Sequence, residues 1–214
     1  MRKCVGIPEW AATGVAVAAM LFAGVLSLTS AARAADDCDA IAGRNKTEYR
    51  DARLSVRESR LTVKSLNSQI ILRTAELEEV NGGLRLLVGE FQARGGVLFF
   101  PPVPETAHFL VQIRPVTRDI VVHHYRQLAI YDQQMTHYRL MKDYIRNYME
   151  RMEGWKESCP GMSVGNAWEW SGKQGNSIDR AIKRTHRLID LVDKRIDWLR
   201  RLSAWAQESV PEAQ

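Results

Sequence analysis

Cysteine and proline are scarce in this 214-residue sequence, with three and seven residues respectively. Neither Cys-x-x-Cys nor Cys-x-x-Cys-His occurs, which argues against dithiol redox chemistry and covalent c-type haem. Gly-x-Ser-x-Gly, a phosphate loop and a dinucleotide fingerprint are all missing. The five histidines show no His-x3-His or His-Glu-x-x-His spacing. His123 and His124 are neighbours and point to different sides of a helix, while His137 lies about 20 Å further along it. Glu76, Glu78 and Glu79 bracket the apolar Leu77 and Val80, the pattern of a solvated helix face rather than of paired catalytic carboxylates. Met135, Met149 and Met152 fall on a helical seam and read as core. No catalytic, cofactor-binding or metal-binding residue is assigned, and an enzyme is not expected.

The N-terminal 34 residues have the composition of an export signal. Arg2 and Lys3 precede an apolar run, Ala11 to Leu28, and Ala32-Arg33-Ala34 has the small-x-small form of a cleavage site. Cleavage after Ala34 predicts a periplasmic or secreted protein; an uncleaved inner-membrane anchor is the competing reading. Losing Arg2, Lys3, Arg33 and Glu9 leaves 27 basic against 24 acidic residues. An exported chain with both signs intermixed gives no reason to expect nucleic acid as a partner. Export leaves Cys38 and Cys159, and two cysteines in an oxidising compartment most simply form one disulfide.

The dominant pattern is a heptad from about Ala40 to Phe91. Tyr49, Val56, Val63, Ile70, Leu77, Leu84 and Phe91 recur every seven residues, with Ala52, Ser59, Leu66, Arg73, Val80 and Leu87 between them. Gly82-Gly83 interrupts it, and each glycine costs a helix about 1 kcal/mol relative to alanine, so a break is expected there. A second helix is predicted over 117–155, with a seam of Val121, His124, Leu128, Tyr131, Met135, Tyr138, Lys142, Ile145, Met149 and Met152. A third follows Ser177 as N-cap and runs to about 207, on Ile182, Thr185, Ile189, Val192, Ile196 and Leu199, with Leu188, Leu191, Trp198, Leu202 and Trp205 widening its apolar face. The tail from 209 is expected to fray.

Cys38 before the first helix and Cys159 after the second would meet if the two were antiparallel. The arms then match only if the first helix ends near Asn81. The fold expected is all-α: an elongated antiparallel three-helix bundle or coiled coil, roughly 55–65 Å along the arms. A single domain spans 35–208, with an end-piece over 82–116. A repeat alone does not say whether the helices pair within one chain or between chains.

That end-piece holds Pro101-Pro102-Val103-Pro104 between two β-rich runs, 97–100 and 109–113, which can pair as a hairpin. Leu98, Phe99, Phe100, Phe109, Val111 and Ile113 are the candidate partner-binding residues. They offer an apolar surface to a protein, to a second copy or to a lipid headgroup layer, unless the runs pack on each other and on Leu84, Leu87 and Phe91. Trp168 and Trp170 are expected to cap the opposite end of the bundle. The function expected is a structural or interaction subunit of the bacterial envelope, in the setting of a secretion or conjugation apparatus. The alternatives are a periplasmic holdase and a small-ligand or metal sensor built on the tyrosine-rich second helix.

Overall fold

The computed structural model describes the backbone over 10–97 and 104–208, and side chains over 37–97, 106 and 108–204. Three α-helices make up the described chain: α1 Trp10–Ala93, α2 Pro104–Ser158 and α3 Ala167–Glu208. Of the expected hairpin, Phe109 to Ile113 is helical, as part of α2, and Leu98 to Phe100 lies outside the described residues. The proposed cleavage site and frayed tail also lie outside the described side chains.

The heptad of α1 faces inward along its whole described length. Ala52, Val56, Ser59, Val63, Leu66 and Leu77 are buried, and Tyr49, Ile70, Arg73, Val80, Leu84, Leu87 and Phe91 are half-buried. The expected break at Gly82-Gly83 does not occur. Both glycines stand inside α1, with nothing within 4 Å of where a Cβ would be. Packing of Val80, Leu84 and Leu87 on either side carries the helix through, a tertiary override of local propensity. The stop comes twelve residues later. Gly95 adopts φ 81°, with its N–H donating to the Gln92 carbonyl at 2.9 Å and the Gly96 N–H donating to the Phe91 carbonyl at 3.0 Å. Those paired bonds close a Schellman cap, which needs the left-handed conformation that glycine adopts without strain.

The arms still match, for a different reason. α2 starts at Pro104, thirteen residues earlier than expected, and its 55 residues balance the stretch of α1 from Cys38 to Ala93. At 1.5 Å per residue the hairpin is about 83 Å long, longer than expected. Proline suits the opening of α2, since the first helical N–H has no partner to lose. Pro115 falls inside the helix, where it cannot donate to the Val111 carbonyl. Both residues lie on the exposed face, so that carbonyl is open to water.

The α2 seam is a second heptad, and it is displaced from the expected one. Thr106, Leu110, Ile113, Thr117, Ile120, His124, Gln127, Tyr131, Gln134, Met141, Ile145, Tyr148 and Met152 step by threes and fours and are buried; Tyr138, in the same series, is half-buried. Lys142, expected on the seam, is exposed and pairs with Asp179 at 2.7 Å. Five seam positions carry polar side chains (Thr106, Thr117, His124, Gln127, Gln134), and at Gln127 and Gln134 apolar periodicity alone selects the neighbours Leu128 and Met135 instead.

α2 is the central helix: α1 and α3 each pack along it, and the backbones of α1 and α3 scarcely approach one another. Side chains bridge that gap in layers. Val56, Val63, Met141, Ile145 and Ile178 form one core, Leu77, Ile120 and Leu199 another. α3 opens ten residues before Ser177, with the Asn166 carbonyl accepting from the Trp170 N–H at 2.9 Å. Its predicted seam is buried or half-buried throughout. Leu188, Leu191 and Trp198 remain exposed, so the apolar face is narrower than expected.

Candidate functional site

The two ends of the bundle and the flank between α1 and α3 are the surfaces of interest. At the tip, Phe109, Leu110 and Ile113 pack with Leu202, Leu84, Leu87, Val88 and Phe91. The Phe91 and Phe109 rings stack with centroids 4.2 Å apart, and Phe91 lies so close to Gly96 that a Cβ there would meet the ring at 2.5 Å. Of the expected partner-binding residues, Phe109 and Ile113 therefore face the core, while Val111 is 43% exposed. Leu98, Phe99 and Phe100 lie outside the described residues.

At the base, Cys38 and Cys159 form a disulfide, with Cα atoms 5.7 Å apart. This is the pairing the antiparallel arrangement requires. Above it, Tyr148 is fully buried and donates its hydroxyl to Asn45 Oδ1 at 2.9 Å. Trp170 packs there edge-on against Tyr49, with ring centroids 5.5 Å apart, so it closes the base as expected. Trp168 does not; it is half in solvent.

Between base and tip the α1–α2 interface holds polar layers. Gln134 Nε2 donates to Asn67 Oδ1 at 2.7 Å, and Gln127 Nε2 donates to Thr74 Oγ1 at 3.1 Å. With its amide so oriented, Gln127 Oε1 accepts from His124 Nδ1 at 3.1 Å, leaving buried His124 Nε2 as a bare acceptor without a hydrogen-bond partner. Burial pushes His124 below the ordinary imidazole value of 6.5; nearby Arg195 and His123 push the same way, against the bond to Gln127. Beside it, the hydrogen bond from Arg73 holds Glu76 below the usual carboxylate range, with His123 Nδ1 3.6 Å away. Gln127 and Gln134 compose a packing device: each reaches its α1 partner in only one register.

A folded-state pKa below the unfolded one means that the unfolded chain takes up the proton first as pH falls. Stability from neutral His124 is thus complete well above pH 6.5 and is lost as pH drops through the lower folded value. Urea denaturation from about pH 8 to about pH 5 is expected to show falling stability in the wild type and a flatter profile in His124→Gln. Equal slopes would remove His124 as the cause.

The α1–α3 flank near the base is strongly basic. A groove of about 630 Å³ runs between the two helices, lined by Lys46, Arg50, Arg53, Arg57 and Arg60 from α1 and by Trp170 and Gln174 from α3. Tyr49 and Val56 form its apolar floor, and Leu54 is 46% exposed on its rim. Arg53 lies over the Tyr49 ring at 5.4 Å, and Arg60 Nη2 donates to Gln174 Oε1. The signal was present in the sequence: Lys46, Arg50, Arg53, Arg57, Arg60 and Lys64 step 4-3-4-3-4, the same heptad as the core rotated onto an exposed face. Attention to the apolar seam passes over it. Among the described residues, no group of histidine, cysteine and carboxylate side chains could hold a metal ion. Nor, within those residues, is any helix long and apolar enough to cross a membrane, a statement that leaves aside the 11–28 run.

No family model matches the chain, and neither curated proteins nor solved structures yield a match.

Proposed function

We propose that the chain is an exported, non-enzymatic helical rod that serves as a structural or protein-interaction subunit of the bacterial cell envelope. The observation that carries the reading is the Cys38–Cys159 bond at the base, close behind a segment with the composition of an export signal. A structural disulfide of this kind persists where the compartment is oxidising, the same address that the leader specifies. An 83 Å hairpin, on the 1.5 Å helical rise, suits a spacer between partners better than a reaction vessel. The tip remains the proposed docking end, with Val111 as its described solvent-facing apolar residue. Fractionation of the source cells, with thiol alkylation before lysis, tests the address; the protein is expected in the envelope fraction with both cysteines blocked by their mutual bond. A photo-reactive residue at position 111 is expected to cross-link there to a partner or a second copy. Reduced protein in the cytoplasm, or no adduct at 111, would overturn the corresponding half of the proposal.

A further inference from the structure

We infer that the α1–α3 groove is a docking site for an acidic amphipathic helix of a partner protein, which completes the three helices as a fourth. This rests on the interaction-subunit reading and assigns it a second surface, remote from the tip. α2 fills only one side of the gap between α1 and α3, whose backbones stay apart. The opposite side is where a fourth helix lies in a four-helix bundle, and a helix about 10–12 Å across fits an open furrow between two parallel ones.

Charge identifies the occupant. All six cations of the stripe, Lys46 to Lys64, are exposed. Only Arg50 has a carboxylate within ion-pair distance among the described residues, Asp51 at 3.6 Å. Some basic side chains elsewhere on the bundle pair locally, as in Arg73–Glu76, Lys142–Asp179, Arg146–Asp143 and Lys173–Glu169, and others do not. What sets this row apart is that five of its members line one groove. Five cations left unpaired in one row favour an anionic partner. Spacing narrows it further. A 4-3-4-3-4 row extends about 27 Å along the axis, and carboxylates on a second helix recur with that same period. The floor of Tyr49, Val56 and Trp170, with Leu54 at the rim, provides for an apolar stripe between those carboxylates. A flat bilayer could meet the cations but would not reach that floor.

The probe is a synthetic helical peptide of about 20 residues, matching the stripe at 1.5 Å per residue, with leucines on one face and glutamates flanking them. Its binding to the oxidised protein is read by fluorescence anisotropy. Binding is expected to weaken with added salt. It is expected to weaken about 100-fold in Arg53→Glu/Arg57→Glu/Arg60→Glu. Circular dichroism should be unchanged in that variant, since the three side chains are exposed. Arg114→Glu/Arg118→Glu, near the tip, should bind as the wild type does. A peptide of the same composition with its leucines dispersed should bind about tenfold more weakly. The proposal is overturned if the peptide does not bind, if the triple variant retains it, or if the dispersed peptide, heparin or vesicles with about a third phosphatidylglycerol bind as tightly. Those outcomes would leave the envelope fractionation and the cross-link at position 111 untouched, so the two readings fail separately.

Discussion

Replacing Cys38 and Cys159 by serine is expected to lower the unfolding free energy by about 5 kcal/mol, from the loop-entropy relation applied to this closure. The bond joins residues 121 apart in sequence, so its loss restores a large loop to the unfolded ensemble. For a chain of this size, 1 kcal/mol corresponds to a few degrees, so the thermal midpoint should fall by about 10–20 °C. Geometry adds a local effect. The bond pins the outer ends of two antiparallel helices whose other ends are joined by the 94–103 connection. Without it the base can fray from Cys38 inward, and amide exchange should rise first around Asn45 and Met152. A midpoint unchanged on reduction, with protection at the base intact, would mean that side-chain packing alone holds the arms together.

Tyr148→Ala is expected to cost about 3–5 kcal/mol, the range for deleting a large buried aromatic. Tyr148 has no solvent-exposed surface, packs with Ala52, Met152 and Ala167, and lies 5.8 Å from the Tyr49 ring. Tyr148→Phe separates the hydroxyl from the ring. It leaves buried Asn45 without its phenolic partner, at a cost of about 1–3 kcal/mol. The phenol also titrates unusually: burial, with smaller contributions from Tyr49 and Glu48, pushes it up to about 12 from 10.0. A folded pKa above the unfolded one stabilises the fold below pH 10, and that contribution is lost as pH rises towards 12. Burial raises Tyr131 and Tyr138 in the same direction. The Phe variant should therefore flatten the alkaline loss of stability without abolishing it. A Phe variant as stable as the wild type, with an identical alkaline limb, would show that the hydroxyl–Asn45 bond contributes nothing.

Both effects arise at the base, which was the most legible part of the chain. Two cysteines at helix ends required an antiparallel hairpin, and Trp170 was expected to close it. The reading failed where a local rule met a longer-range one. Gly82-Gly83 suggested a helix end because each glycine has a poor propensity, yet the seam on either side holds α1 intact. Phe109 to Ile113 suggested a strand by composition, yet Thr106, Phe109, Leu110 and Ile113 are buried at helical spacing. On α2 the expected seam runs one place late at Leu128 and Lys142, where Gln127 and Met141 are the buried residues, while Met149 packs against the core as expected.

By itself the sequence determined the all-helical class, the register of α1 and of α3, and the disulfide partners. Each of these follows from local periodicity or from the two cysteines that stand at the ends of predicted helices. Tertiary structure decided where α1 stops, where α2 begins and which polar residues may sit inside. A buried Gln127 is tolerable only when Thr74 stands opposite, and helix α1 supplies that partner from 53 residues away; His124 then leans on Gln127, three residues along its own helix. It also decided what the basic row means. On an isolated helix, Lys46 to Lys64 is a solvated face; with α3 laid parallel at its flank, the first five of those six residues become the wall of a groove.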